Sequence, residues 1–237
     1  MKFSLHPLGD AACSVVFGDH IDKEVNEGVL RLFRHLQFRE EPFITDLVPS
    51  YASLTVFYDP VVVLSDADAN QTSYEIVCNY LSEQTKALPQ NDNDTSRKLA
   101  VPVCYSGEYA TDLAVMSAAL HLSASEIIRL HVGSEYRVYM IGFQPGFAYM
   151  GTIDERIAFP RKDKPARRVP AGSVGIAGRQ TGIYPLDSPG GWSIIGRTPL
   201  TIFDRKATTP VLFQPGDMVN FYQITENEFA NYKGGNL

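Results

Sequence analysis

Arg161, Arg167 and Arg168 each lie within two residues of a proline, Pro160, Pro165 or Pro170, so the backbone that carries them is fixed in φ while their guanidinium groups reach outward. Such forks suit a carboxylate or a phosphate, which they hold through paired hydrogen bonds. Shortly after them, Gln180, Thr181 and Tyr184 supply an amide, a hydroxyl and a phenol within one short segment. Neutral donors and acceptors of this kind orient an amide or a lactam. Together the two groups point to a small anionic substrate, with Arg168 and Gln180 placed in the chemistry and Arg161, Thr181 and Tyr184 in binding. Plainer readings stand beside these. Gln180 and Thr181 can satisfy the backbone of a turn, and Lys162 and Lys164 can be solvated charge on a loop.

His131 is the imidazole nearest in sequence to these groups, eleven residues before Gly142. It ends a predicted helix, where a histidine is favourably placed against the helix dipole. It is also a group able to move a proton near neutral pH, and it enters the catalytic candidates on that ground. The other histidines, His6, His20, His35 and His121, belong to no constellation. Trp192, after Pro189-Gly190-Gly191, either walls a pocket or fills the core.

These residues sit in or beside an unusual stretch. Residues 142–199 hold ten of the 18 glycines and seven of the 15 prolines, a chain of tight, pre-shaped turns. The stretch carries eight Lys and Arg against four acids, while the whole chain has net charge −6. A rigid cationic loop surface on an acidic body suits a small anion. Gly142 and Gly146 are expected to bring bare backbone against it.

Familiar catalytic signatures are missing. No P-loop, G-x-G-x-x-G, H-E-x-x-H or C-x-x-C occurs, and Gly172-Ser173-Val174-Gly175 is not a nucleophile elbow. Cys13, Cys78 and Cys104 are far apart and flanked by apolar residues, as reduced core thiols are, and no metal site is expected. The acidic balance argues against nucleic acid as the main partner. No apolar run reaches the roughly 18 residues of a membrane span. The start MKFSLHPLGD lacks the apolar stretch of a secretory signal, which sets cytoplasmic residence as the expectation.

The elements that must position the site fall into two regimes. Residues 1–87 read as α+β of ferredoxin-like outline. Strands are expected at 3–8, 12–17, 43–48 and 53–58, the last ended by Asp59-Pro60. A helix capped by Asp19 is expected from Ile21, Val25, Val29, Leu32 and Leu36, and a second from Tyr74, Val77, Cys78 and Leu81. Residues 88–97, LPQNDNDTSR, lack an apolar period and read as a linker. Residues 98–237 then read as a mostly β barrel domain carrying the candidate site. It starts with a strand at 99–104, a helix from Thr111, and a short helix capped by Ser123 and Glu126. Brief strands follow at 137–141, 173–177, 193–195, 200–203 and 218–223.

Four blocks carry a resemblance: Gly142-Phe-Gln-Pro-Gly-Phe-Ala-Tyr149, Val169 to Gly178, Gln180-Thr-Gly-Ile-Tyr-Pro185, and Ser188-Pro-Gly-Gly-Trp-Ser-Ile-Ile-Gly-Arg-Thr-Pro199. In this order they resemble the family that takes in the B subunit of 5-oxoprolinase, allophanate hydrolase subunit 1 and KipI-like proteins. The resemblance implies a cyclophilin-like barrel. It further implies a share in an ATP-dependent hydrolysis of the lactam 5-oxo-L-proline to L-glutamate. ATP, with Mg2+ assisting, would be shared with two partner subunits, one hydrolase-like and the other carboxyltransferase-like, and this chain alone would be inactive. Two other functions are consistent with the resemblance. One is a KipI-like inhibitor that binds a sporulation histidine kinase. The other is part of a biotin-linked carboxyltransferase of the urea carboxylase and allophanate pathway, with the biotin carried on another chain.

Overall fold

The computed structural model describes residues 2–65, 70–88 and 96–233. They form two compact units, Met1–Thr95 and Ser96–Leu237. Residues 89–95, most of the expected linker, lie outside the described part.

The first unit contains β1 (Ser4–Pro7), β2 (Ala12–Val16), α1 (Lys23–Arg39), β3 (Ile44–Pro49), β4 (Ser53–Tyr58), α2 (Pro60–Leu64) and α3 (Ser73–Lys86). Its sheet is antiparallel throughout, in the order β1-β2-β4-β3. The apolar period of α1 delivers Val29, Leu32 and Leu36 to one buried cluster with Val15, Leu54 and Val56 of the sheet and Val77 and Leu81 of α3. The α1 cap is Asp22, whose carboxylate accepts from the Val25 backbone N–H at 3.0 Å, rather than Asp19, which is paired with His20. Asp59-Pro60 ends β4 as the sequence suggests and at once starts α2. The Asp59 carboxylate caps the N–H groups of Val61 and Val62, and Pro60 occupies a first-turn position that needs no donor.

The second unit opens with β5 (Lys98–Cys104), α4 (Leu113–Leu120), α5 (Ala124–Val132), β6 (Glu135–Ile141) and β7 (Ala148–Gly151). It continues with β8 (Ala166–Val169), β9 (Ser173–Ala177), β10 (Gln180–Ile183), β11 (Ser188–Gly190), β12 (Ser193–Arg197), β13 (Met218–Ile224) and α6 (Glu226–Ala230). Seven strands close a barrel in the order β10-β7-β6-β13-β5-β12-β9. Six of its pairings are antiparallel and one, β13 with β5, is parallel. Strands β8 and β11 form a separate two-stranded ribbon. Val101, Val138, Met150, Val174, Ile176, Ile183 and Ile195 fill the barrel, so it is a packed core and no channel. The expected strand at 200–203 is replaced by irregular backbone with one isolated bridge, Phe203 to Val211. Among the described residues no single helix is long and apolar enough to cross a membrane.

Candidate functional site

Strand side chains alternate between two faces, and β7, β9 and β10 are buried on both. Ala148, Met150, Val174, Ile176 and Ile183 point into the barrel. The alternate positions lie on its outer face and help build a second cluster of Phe147, Val169, Ala177, Tyr184, Trp192 and Ile194, with Tyr149 packed against it. Glycine makes room for these rings. A Cβ on Gly182 would lie 2.8 Å from the Ala148 carbonyl and 3.2 Å from both the Phe147 and Trp192 rings. A Cβ on Gly175 would lie 3.0 Å from the Trp192 Cβ.

The rings meet edge to face. Phe147 is centred 4.8 Å from Tyr149, 5.2 Å from Tyr184 and 5.3 Å from Trp192. Phe143 stands over them, 5.6 Å from Phe147 and 6.5 Å from Tyr184, and remains 63% exposed. It is lifted there by the 142–147 turn, in which the Gly142 N–H donates to the Phe147 carbonyl at 3.1 Å and the Phe147 N–H to the Gln144 carbonyl at 3.0 Å. Phe143 and Gly146 both take positive φ, at 66° and 86°. The turn therefore presents an aromatic ring to solvent above an aromatic floor.

Arg161 borders this face. Its neighbour Lys162 donates a backbone N–H to the Gly191 carbonyl at 2.8 Å and its ammonium to Asp112 at 2.7 Å. The same Asp112 oxygen accepts from the Ile194 N–H at 2.7 Å, so one half-buried carboxylate sews the 160s segment to β12. Burial raises the pKa of the Tyr149 and Tyr184 phenols, and the positive charge of Arg161 opposes that rise in both. Among the described residues Arg161, Lys164 and Arg167 make no ion pair. Arg156 is taken by Asp154, Lys162 by Asp112, Arg168 by Asp187 and Arg179 by Glu155. Half of the stretch's eight cations are so paired, and Arg161 is the unpaired one beside the rings.

The residues singled out from the sequence fall in three places. Gly142, Gly146, Arg161, Gln180 and Tyr184 belong to the outer face. Gln180 opens β10 opposite Gly151 and Ala177, on the same side of the strand as Gly182 and Tyr184. His131 and Thr181 are inside the barrel, both completely buried. The Tyr105 hydroxyl lies 2.7 Å from His131 Nδ1, and Nε2 lies 3.0 Å from Thr181 Oγ1, which donates to the Gly175 carbonyl at 3.1 Å. Because Thr181 gives its proton to Gly175, it accepts from Nε2–H, and Nδ1 accepts from Tyr105. The ring stacks on Phe221 at 4.6 Å, and burial pulls its pKa down to about 3. The neutral tautomer is fixed and sealed from solvent. Arg168 forms the third group, exposed on β8, with its guanidinium on Asp187 at 2.7 and 3.0 Å. The Ala171 N–H, and after it Arg168, hold the Asp187 carboxyl below its ordinary range.

Sequence reasoning missed Phe143, Phe147, Tyr149 and Asp112. For the aromatics a signal exists: Phe147 and Tyr149 are two apart in the block Gly142 to Tyr149, with Phe143 at its turn. For Asp112 none exists, because its partners lie 50 and 82 residues away. Two buried side-chain oxygens in this region, Gln144 Oε1 and Ser188 Oγ, have no hydrogen-bond partner among the described residues. Nor do three His, Cys, Asp or Glu side chains gather there as a metal site would require.

A family model described as carboxyltransferase domain, subdomain C and D, matches residues 3–213. The chain is similar to the B subunit of 5-oxoprolinase from Bacillus subtilis, 38% identical over 234 residues covering 98% of both chains. It is also similar to the B subunit of 5-oxoprolinase from Escherichia coli O157:H7, 49% identical over 139 residues, 59% of this chain and 62% of the other. Among solved structures, that of TTHA0988 superposes with a TM-score of 0.77 at 36% identity, covering 90% of this chain and 39% of that longer one.

Proposed function

The chain belongs to the carboxyltransferase subdomain C and D family, among its 5-oxoprolinase members, and from this we propose that it serves as the B subunit of a 5-oxoprolinase complex, which converts 5-oxo-L-proline to L-glutamate. The observation that carries the reading is the similarity to the Bacillus subtilis protein along 98% of both chains. In that role the chain has other 5-oxoprolinase subunits as partners. One hydrolase-like and one carboxyltransferase-like partner are the pair we propose, acting with it in the cytoplasm.

The outer barrel face is our candidate for this chain's share of the substrate site. A five-membered lactam has two apolar faces, one amide and one carboxylate. The rings of Phe143 and Tyr149 fit its faces, with Tyr184 buried beneath them, Arg161 its anionic group, and Gln180 its amide. His131 and Thr181 then act as positioning residues. Thr181 is one residue from Gln180, and the buried hydrogen-bond chain fixes the strand from which Gln180 and Tyr184 project. Arg168 lies at the β8 edge and is assigned to the rim.

ATP would supply the activation that an unreactive lactam amide needs. Among the described residues no glycine-rich loop runs into a helix N-terminus as a cradle for its phosphates would. We therefore assign nucleotide handling to the partner subunits.

Reconstitution with the two partners, with each chain omitted in turn, tests the reading by glutamate released from 5-oxo-L-proline and ATP. Loss of glutamate when this chain is left out is expected. Undiminished release without it, or none from a fully assembled complex, would overturn the assignment. A second reading, a protein that docks on a kinase without chemistry of its own, is favoured by the exposed Phe143 ring. It predicts binding of a histidine kinase that Phe143→Ala abolishes.

A further inference from the structure

A cavity of about 500 Å³ opens at the C-terminal end of β12, next to the turn that carries Gly146, whose added Cβ would lie 3.4 Å from Ile202 and Phe203 and 3.6 Å from Pro185 of its lining. Its size is that of a small-molecule site. Pro185, Leu200, Phe203 and Phe229 give it apolar walls, and Thr201 and Tyr232 add hydroxyls. Arg197 brings the only charge among its lining residues. That guanidinium is tethered by one bond, Nε to the Ala171 carbonyl at 2.9 Å. Among the described residues no ion pair or further hydrogen bond engages its two terminal nitrogens. The nearby acid, Asp187, is already taken, one oxygen by Arg168 and the other by the Ala171 N–H.

The wall that carries Arg197 is built rigidly. The Thr198 N–H donates to the Gly172 carbonyl at 2.9 Å, and the Gly172 N–H to the Tyr184 carbonyl at 2.8 Å. Gly172 has φ of 81°, and any Cβ there would collide with the Thr198 carbonyl. A planar fork held on a fixed wall, with its outer edge open and apolar side chains around it, matches a carboxylate attached to a compact apolar body. A polyphosphate brings several negative charges and meets a single cation here, one whose charge already acts on Asp187.

We infer that this cavity is a binding site for a small monocarboxylate, with Arg197 as its anchor, neighbouring the aromatic face but not using its rings. It does not depend on which substrate the assembled complex turns over. The probes are 5-oxo-L-proline, cyclopentanecarboxylate and ATP, titrated into the isotopically labelled full-length chain and followed by amide shifts in NMR. Saturable shifts at Gly172, Thr198, Leu200 and Thr201 are expected with at least one of the two carboxylates. Arg197→Gln and Thr201→Trp, the first removing the charge and the second filling the space from an exposed position, should each weaken that binding at least tenfold while the spectrum elsewhere stays folded. No saturable shift with either carboxylate, binding that survives both substitutions, or ATP displacing the carboxylate from these amides would overturn the inference. A complex that makes no glutamate would leave this binding intact, so the two readings fail separately.

Discussion

The same three strands, β7, β9 and β10, show two opposite kinds of chemistry on their two faces. Inside the barrel, the one member of the Tyr105-His131-Thr181 chain that could shuttle a proton near neutral pH is locked neutral, each ring nitrogen bonded to a fixed partner. Outside, one step away in the alternation of strand residues, glycines replace side chains, rings stack edge to face, and Arg161 stands beside them without an ion-pair partner among the described residues. A histidine close in sequence to the candidate site is sealed in the core, while the face where the strand is stripped to glycine is the one that presents a ring and a cation to solvent. Buried polar chains of this kind specify a core when every member is satisfied.

The comparison is most sharply broken by acid. A histidine buried neutral binds no proton in the folded state until pH falls to about 3, whereas in the unfolded chain it takes one below its ordinary 6.5. The unfolded state therefore holds more protons between these limits, and stability falls as pH drops from about 6.5 toward 3, by at most on the order of 4–5 kcal/mol from this group. Denaturation measured at pH 7 and pH 4.5 should show the loss, and His131→Gln should flatten that part of the profile. An unchanged slope in the variant would mean that the imidazole is not sealed.

Arg161→Ala addresses the outer face. In the assembled complex it should lower kcat/KM for 5-oxo-L-proline by about a hundredfold, the scale on which a charge-assisted contact made in the transition state is lost. Its melting temperature should stay that of the parent chain. A drop in stability with normal kinetics would move Arg161 to the structural side.

Gly182→Ala should be destabilising by about 1–3 kcal/mol, since the added methyl meets the Ala148 carbonyl as well as two rings and the backbone must shift. Chemical denaturation measures this directly. A neutral result would show that the aromatic floor is loosely packed and unfit to orient a ligand.

The smallest effect is expected at Arg168. Its pair with Asp187 is exposed, so Arg168→Ala should leave the thermal midpoint essentially unmoved and turnover within about threefold of the parent. A hundredfold loss of turnover would extend the site from the aromatic face to the β8 edge.

Much of the fold was legible. Val29, Leu32 and Leu36 recur at helical spacing and do pack on the sheet, and β9 stands where its run of small and apolar residues suggested. Strands β7, β8, β10 and β11 went unread because each is three or four residues long, too short to show a period. The segment at 200–203 erred in the other direction. Its apolar residues Leu200, Ile202 and Phe203 line a cavity or the core without joining the ladder.

By itself the sequence determined the blocks from Gly142 to Pro199, the density of glycine and proline that makes them rigid, and with them the family. Only the tertiary structure decided which side chains of those blocks can meet a ligand. One reason is register. A strand sends neighbouring residues to opposite faces, so Thr181 goes to His131 in the core while Gln180 goes to the outer face. The other is pairing at long range. Asp112 removes Lys162 from the set of unpaired cations across 50 residues, and Asp187 removes Arg168 across 19, while Arg161, Lys164, Arg167 and Arg197 make no ion pair among the described residues. Charge cancellation of this kind depends on distance in space, and no local pattern of residue types encodes it.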